Sequence, residues 1–339
     1  MKARSFHLVL VLGLVAGATH SVARAQAWLP PKGEGSLNVG FAMASMGDHL
    51  FSSSIYGVGY TERSQDLGDS NSRSATLGFS LGVLDRFAVS ADIAYVSARY
   101  QGAEPEGPAD DGTWNNSIQD LRGFFRYQAY RSSAFVVTPL VGFVLPLANY
   151  DTTAHSSVGT HKWEIPVGVS LGAPFGKTRP LAYLVATGAY SFVEELHDIS
   201  TNKTNATLEI GGFPHPSVTL RAYGAWQNTH GGIDWAEIQD DAMFMDHDAA
   251  ADADYWGAGL GIAWSINRSF DLFAGYSKVL AGSNVTQLSA FNIGMSWNFG
   301  KGLTDRRKIG AREGPSAANR GGDDATPTTA AIYAGMRSW

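Results

Sequence analysis

The sequence predicts an all-β fold: a transmembrane antiparallel β-barrel of about 12 strands with short periplasmic turns and long extracellular loops. Three observations carry this expectation. The chain opens with an export-type segment. Its strand-like runs alternate apolar and polar residues with a period of two, and its connections alternate between short and long. The clearest run is Phe291 to Phe299, where Phe291, Ile293, Met295, Trp297 and Phe299 share one face and Asn292, Gly294, Ser296 and Asn298 the other. Successive strand side chains point to opposite faces, so this ribbon turns an apolar side to lipid and a polar side to a lumen.

The first 25 residues read as a signal peptide. Lys2 and Arg4 begin it, Leu8 to Ala18 is an eleven-residue apolar run, and Ala23-Arg24-Ala25 is a small-x-small site with cleavage expected before Gln26. That run is too short for a helix crossing a bilayer, which needs about 20 residues. Mean hydropathy is −0.10, because each lipid-facing residue is averaged against a lumenal neighbour. There is no cysteine, so sheet closure rather than disulfides must supply rigidity. Formal charge falls from −6 to −9 once Lys2, Arg4 and Arg24 are removed, and with no basic stripe to meet phosphates nucleic acid is not an expected partner.

Taken in order, residues 26–35 form a short extended segment around Pro30-Pro31-Lys32-Gly33, expected in the periplasm, and residues 36–300 form the barrel. Alternation predicts strands at Leu37–Ser45, Arg73–Leu84, Phe87–Tyr100, Asn116–Tyr130, Ala134–Ala148 and His161–Ala173. Six more follow at Pro180–Glu194, Lys203–Phe213, Ser217–Thr229, Asp254–Ile266, Phe270–Ala281 and Thr286–Phe299. Ile55 to Tyr60 reads either as a further strand or as a piece folded into the lumen, and the run 180–194 is apolar on both faces, which leaves its facing open. Turns near 85, 132, 176, 215 and 268 are short and most connections between them long; an even strand number then puts both termini on the periplasmic side. Phe299 is the terminal aromatic expected to be recognised by the outer-membrane assembly machinery, with Trp339 the weaker rival. Lys301 to Thr326 is rich in Gly, Asp, Arg and Ala, so residues 301–339 read as a disordered periplasmic tail.

Parity turns Asp92, Asp120, Arg122, Arg126, Lys162, Glu164, Glu209, Arg221 and Asp271 toward the lumen. They are either a selectivity lining or a salt-bridge network that fills the barrel, and their mixed signs favour the second. Gly257, Gly259, Gly261, Ala263 and Ser265 form a row of small lumenal residues, and such rows predict open space. The acidic loop between Asp234 and Asp254 offers Asp246, Asp248, Asp252 and Asp254 as weak calcium-type ligands, but without the glycine and glutamate of an EF-hand it reads as a solvated loop. Trp235, Met243, Phe244 and Met245 would cap the pore or anchor that loop. No metal or other cofactor is expected, nor an enzyme: a membrane hydrolase needs a serine beside a histidine on the lipid face, and His161 has no outward serine at its height.

Four phrases carry a family resemblance: Gly82-Val83-Leu84-Asp85-Arg86-Phe87; Asp120-Leu121 with Gly123 and Phe125-Arg126-Tyr127; Leu145-Pro146; and His230-Gly231-Gly232. Over about residues 35 to 299 the chain resembles the outer-membrane transporter family labelled "MetA-pathway of phenol degradation". It departs in having Pro146-Leu147-Ala148 where the family tends to Pro-Thr-Gly, and Gln119 where the family tends to Gly. The resemblance implies a Gram-negative outer-membrane barrel passing small, often aromatic or hydrophobic, solutes. Its partners would be the lipid bilayer, lipopolysaccharide, the assembly machinery and that small-molecule solute. The alternative is a plugged, non-transporting barrel that serves as a surface binding or structural module.

Overall fold

A computed structural model describes residues 27–51, 64–65, 68–102, 110–150, 152, 155–176, 181–235 and 247–300. The signal segment, Ile55 to Tyr60, Met243 to Met245 and the tail from Lys301 lie outside them. Twelve long strands and two two-residue ladders form one antiparallel sheet. In chain order they are β1 (Gly35–Leu50), β2 (Ser64–Gln65), β3 (Asp69–Leu84), β4 (Phe87–Gln101), β5 (Asn115–Tyr127), β6 (Tyr130–Arg131) and β7 (Val136–Pro146). There follow β8 (Glu164–Phe175), β9 (Ala182–Val193), β10 (Thr201–His215), β11 (Val218–Gly231), a four-residue helix α1 (His247–Ala250), β12 (Asp254–Ser265), β13 (Phe270–Ser283) and β14 (Val285–Phe299). Each long strand pairs with its neighbours, and β14 returns to pair with β1 from Gly35↔Phe299 to Leu50↔Val285. The barrel is therefore closed and has no unpaired long edge.

The outer face is the apolar one. Val39, Phe41, Met43, Leu77, Leu208, Ile210, Leu260 and Trp264 are exposed, while inward neighbours such as Ala42, Ala44 and Ser74 are buried. The strand that was ambiguous by sequence, β9, turns Tyr183, Val185, Ser191 and Val193 inward. One end of the barrel carries the short connections, down to the two residues between β3 and β4. The opposite end carries most of the long ones, with two exceptions: β9 and β10 are joined by residues 194–200, and β13 and β14 by Asn284 alone, at φ 53°. Asparagine tolerates that left-handed conformation better than most residues.

Several strand limits differ from expectation. Strands β1 and β3 run further toward the long-loop end, because their polar residues keep pairing there. The fourth expected strand stops at Tyr127, and Tyr130 belongs to the short β6 ladder. The sixth begins at Glu164, because His161 takes φ 52°, which no strand accommodates. Strand β5 also bulges: Ile93 pairs with Leu121 and Tyr95 with Ile118, so Gln119 and Asp120 together oppose Ala94. Both then point inward and are buried, which strict alternation would not allow.

Candidate functional site

The lumen is closed at both ends by the chain itself. At the short-turn end, Ala27, Trp28 and Leu29 are buried inside the barrel rather than extended outside it. Thr138 Oγ1 donates to the Ala27 carbonyl at 2.6 Å. The Trp28 ring packs edge-on against Tyr183 with centroids 6.3 Å apart, beside Val136, Val185 and Phe213. Beyond Leu29 the segment reaches β3, where Gly33 donates to Gly82 and Gly82 donates back to Glu34. A Cβ at Gly82 would strike the carbonyls of Pro30 and Pro31, so glycine is required for that approach. Residues 27–34 thus run as a strap from β7–β9 to β3 across the mouth. Prolines at 30 and 31 have no N–H to offer a sheet, and the segment pairs with β3 only from Lys32 onward.

At the long-loop end, connections fold inward around an apolar cluster. Met46, Val96, Val279 and Leu288 supply its wall from lumenal positions, and Val158, Trp235 and Ala251 enter it from the loops. Gln119 Nε2, aimed inward by the β5 bulge, donates to the Val158 carbonyl at 2.7 Å. His155 and Ser156 are held by Asp110, with His155 Nδ1 2.7 Å from Oδ2, and the imidazole stacks on Tyr100 at 4.0 Å. Trp235 is held by its N–H bond to Asn284 Oδ1, and Asn284 Nδ2 donates to the Asp252 carbonyl. Lys162 Nζ ties α1 to the wall by donating to the Ala249 carbonyl at 2.6 Å and to Thr201 Oγ1 at 3.1 Å.

Between the closures lies a chamber of about 210 Å³. Its lining mixes apolar surface from Val144, Val193, Tyr223 and Tyr255 with Asp120, Lys162, Glu164, Lys203 and Glu209. Lys203 bonds Glu164 at 2.6 Å, and Arg221 meets Glu209 at 3.3 Å, Glu209 also accepting from Tyr183. Asp120 accepts from Tyr150 at 2.6 Å. Burial, and then the charge and hydrogen bond of Asp120, hold the Tyr150 phenol above its ordinary range.

Asp92 and Arg122 are cross-strand partners in register, and Asp271 accepts from Asn298 near the short-turn end. Arg126 lies at that same end, apart from the chamber. The nine lumenal residues therefore spread over both ends and the middle instead of forming one ring. Of the acidic-loop residues, Asp246 and the side chain of Asp248 lie outside the described residues. Asp254 accepts from Asn228 and from the Thr229 N–H, and Asp252 sits beside it with its carboxyl pushed up to about 6 by burial, then by Asp254 and Asp234. Among the described residues no three metal-ligating side chains converge. His161 sits in the connection before β8, its ring edge-on to Tyr150 and its N–H donated to the Tyr150 hydroxyl.

The small-residue rows leave only part of the space they were expected to leave: Gly257 lines the chamber, while other glycines are covered. Gly259 is covered by the ring of Tyr223 and Gly261 by Arg221. Gly211 lies under Tyr183 and Gly294 under Phe273, in each case the cross-strand partner. These glycines make room for a neighbour's side chain, a ring in three of the four cases, and that side chain takes up lumen space. What sequence reasoning missed is the strap, the inward Gln119 and the loop cluster apart from Trp235, which was named as a pore cap or loop anchor. A signal for the cluster was present: Met46, Val96 and Leu288 occupy lumenal parity, where a water-filled pore would place polar residues.

No family model matches the chain, and no curated protein matches it. Among solved structures, an outer membrane channel from Pseudomonas putida F1 superposes with a TM-score of 0.57 at 13% identity, covering 80% of this chain and 97% of that one. The translocator domain of autotransporter NalP from Neisseria meningitidis gives 0.50 at 12% identity, covering 86% of this chain and 99% of that one. At such identities the likeness shows the fold alone: a closed twelve-stranded antiparallel β-barrel of the outer-membrane kind.

Proposed function

We propose that this protein is an outer-membrane channel, held closed in this conformation, for small solutes with a single ring and a polar group. The observation that carries the reading is the lumenal chamber that lies between the strap and the loop cluster. An apolar cavity of about 150 Å³ accommodates benzene, so about 210 Å³ suits one substituted ring. Apolar walls with a few converging polar groups are the usual composition of a small-molecule site. The exposed apolar band around the barrel supports placement in a bilayer. The four phrases that resemble the phenol-degradation transporters point to the same solute class.

A second reading is a plugged barrel that transports nothing and serves as a binding or structural module. The paired lumenal charges Lys203–Glu164 and Arg221–Glu209 favour it. Swelling of proteoliposomes separates the two. With the folded chain in the bilayer, swelling is expected in isosmotic sodium 4-hydroxybenzoate and not in a disaccharide. Absence of swelling in both would leave the plugged reading standing, and equal swelling in both would mean a wide pore without selection.

A further inference from the structure

Among the described residues, one cation in the short-turn half of the lumen has no negative partner. Arg126, on the inward face of β5, is 3% exposed. Its Nη2 donates to Ser80 Oγ at 3.2 Å, while Nε and Nη1 meet no acceptor. Arg221, by comparison, is paired with Glu209. Two residues further on, Gln128 is 2% exposed, and its Nε2 also lacks an acceptor.

The register explains why this arginine is covered. Gly82, Ala88, Arg126 and Leu140 form one cross-strand row over β3, β4, β5 and β7. The strap is anchored at Gly82 on one side of Arg126 and at Thr138 on the other. It therefore passes over the row in which Arg126 stands. A guanidinium taken out of water without a counter-charge is strongly disfavoured. The unused groups of Arg126 and Gln128 are all donors, so the group that completes the site is an acceptor, and a negative one balances the charge.

We propose that Arg126, with Gln128 and Ser80, is a binding site for a small carboxylate anion beneath the N-terminal strap. The planar guanidinium matches a carboxylate better than a lysine would. The site rests on the channel reading in one respect only, that a single-ring acid belongs to the solute class proposed above. Binding itself requires no open path, so it is measured without a bilayer.

The experiment is calorimetric titration of the full chain, folded in detergent at low chloride, with sodium benzoate. Saturable binding is expected, weakened at least about tenfold in Arg126→Gln, which is what loss of one charge-assisted hydrogen bond implies. Arg126→Lys is expected to fall between the two, with heat-dependent gel mobility confirming that each variant is folded. Phenol, the neutral analogue, titrated into the unmodified protein keeps the test independent of any variant and is expected to bind far more weakly than benzoate. No saturable benzoate binding, equal binding of phenol and benzoate, or unchanged affinity in Arg126→Gln would each overturn the site. Benzoate binding without proteoliposome swelling would retain the site and remove the channel; swelling without binding would do the reverse.

Discussion

Thr138 Oγ1 bonds the Ala27 carbonyl at 2.6 Å, joining the start of the described chain to a strand 111 residues later. This bond fixes one end of the strap. Thr138→Val removes it, and a buried hydrogen bond of this kind contributes about 1 kcal/mol, or roughly fivefold in strap release. Protease accessibility at Trp28 should rise by that order.

Deleting residues 27–31 alone should leave single-channel ion conductance close to that of the unmodified protein, because the cluster around Trp235 and Val158 still narrows the other end. Shortening the 155–161 connection alone should change it as little, for the mirror reason. Combining the two should give conductance well above the sum of the single changes. Single-channel recording in planar bilayers checks this, and full conductance from the strap deletion alone would contradict the double closure.

The Arg221–Glu209 pair is buried on both sides. Arg221→Met leaves Glu209 without its cation, and breaking a buried pair in this way costs about 3–5 kcal/mol. The double change with Glu209→Leu should recover most of that loss. Urea unfolding in detergent, followed by tryptophan fluorescence, measures both.

Asp252 provides the pH dependence. Its carboxyl is raised to about 6 in the closed loop, so the folded state binds the proton more tightly than the open one. The contribution to loop closure is full below the ordinary carboxylate value and is lost as pH rises through about 6. The seam where Ile233 donates to Ala250 and Asp252 to Ile233 should therefore loosen between about pH 5 and about pH 7. Hydrogen exchange at those two amides should speed up over that range beyond the intrinsic base catalysis, and Asp252→Asn should abolish the excess.

Gly259 lies beneath the Tyr223 ring. Gly259→Ala forces that ring toward the chamber, and overpacking of this type costs about 1–3 kcal/mol. The same change should lower swelling in 4-hydroxybenzoate. Gly188→Ala is the control, since nothing lies within 4 Å of its Cβ position.

The wall of this barrel was legible in the sequence, and its filling was not. Val39, Phe41 and Met43 alternate with Gly40 and Ala42 because lipid and lumen impose opposite demands at every second residue, so strand existence and facing could be read locally. Gln119 escaped because a bulge adds one residue and breaks the parity on which its assignment depended. Trp28 escaped because it contacts a residue far away in sequence, Tyr183, through a segment with no periodicity, whereas Trp235, expected to cap the pore or anchor its loop, is buried in the cluster at that end. The glycine rows misled for a related reason. A glycine signals the absence of its own side chain, while the occupant of that space is a side chain on the next strand.

The seam between β1 and β14 has a consequence for how the molecule is made. Gly35 faces Phe299, so the last pairing joins residues at opposite ends of the described chain. Until β14 is synthesised, a growing chain has two open edges, on β1 and β13, each able to recruit a foreign strand. Bringing ends so distant together also makes formation slow, since loop entropy is lost before the closing contacts form. Completion of the cylinder is therefore a late, all-or-none event, and a chain cut at Asn284 would be an unclosed sheet rather than a smaller barrel.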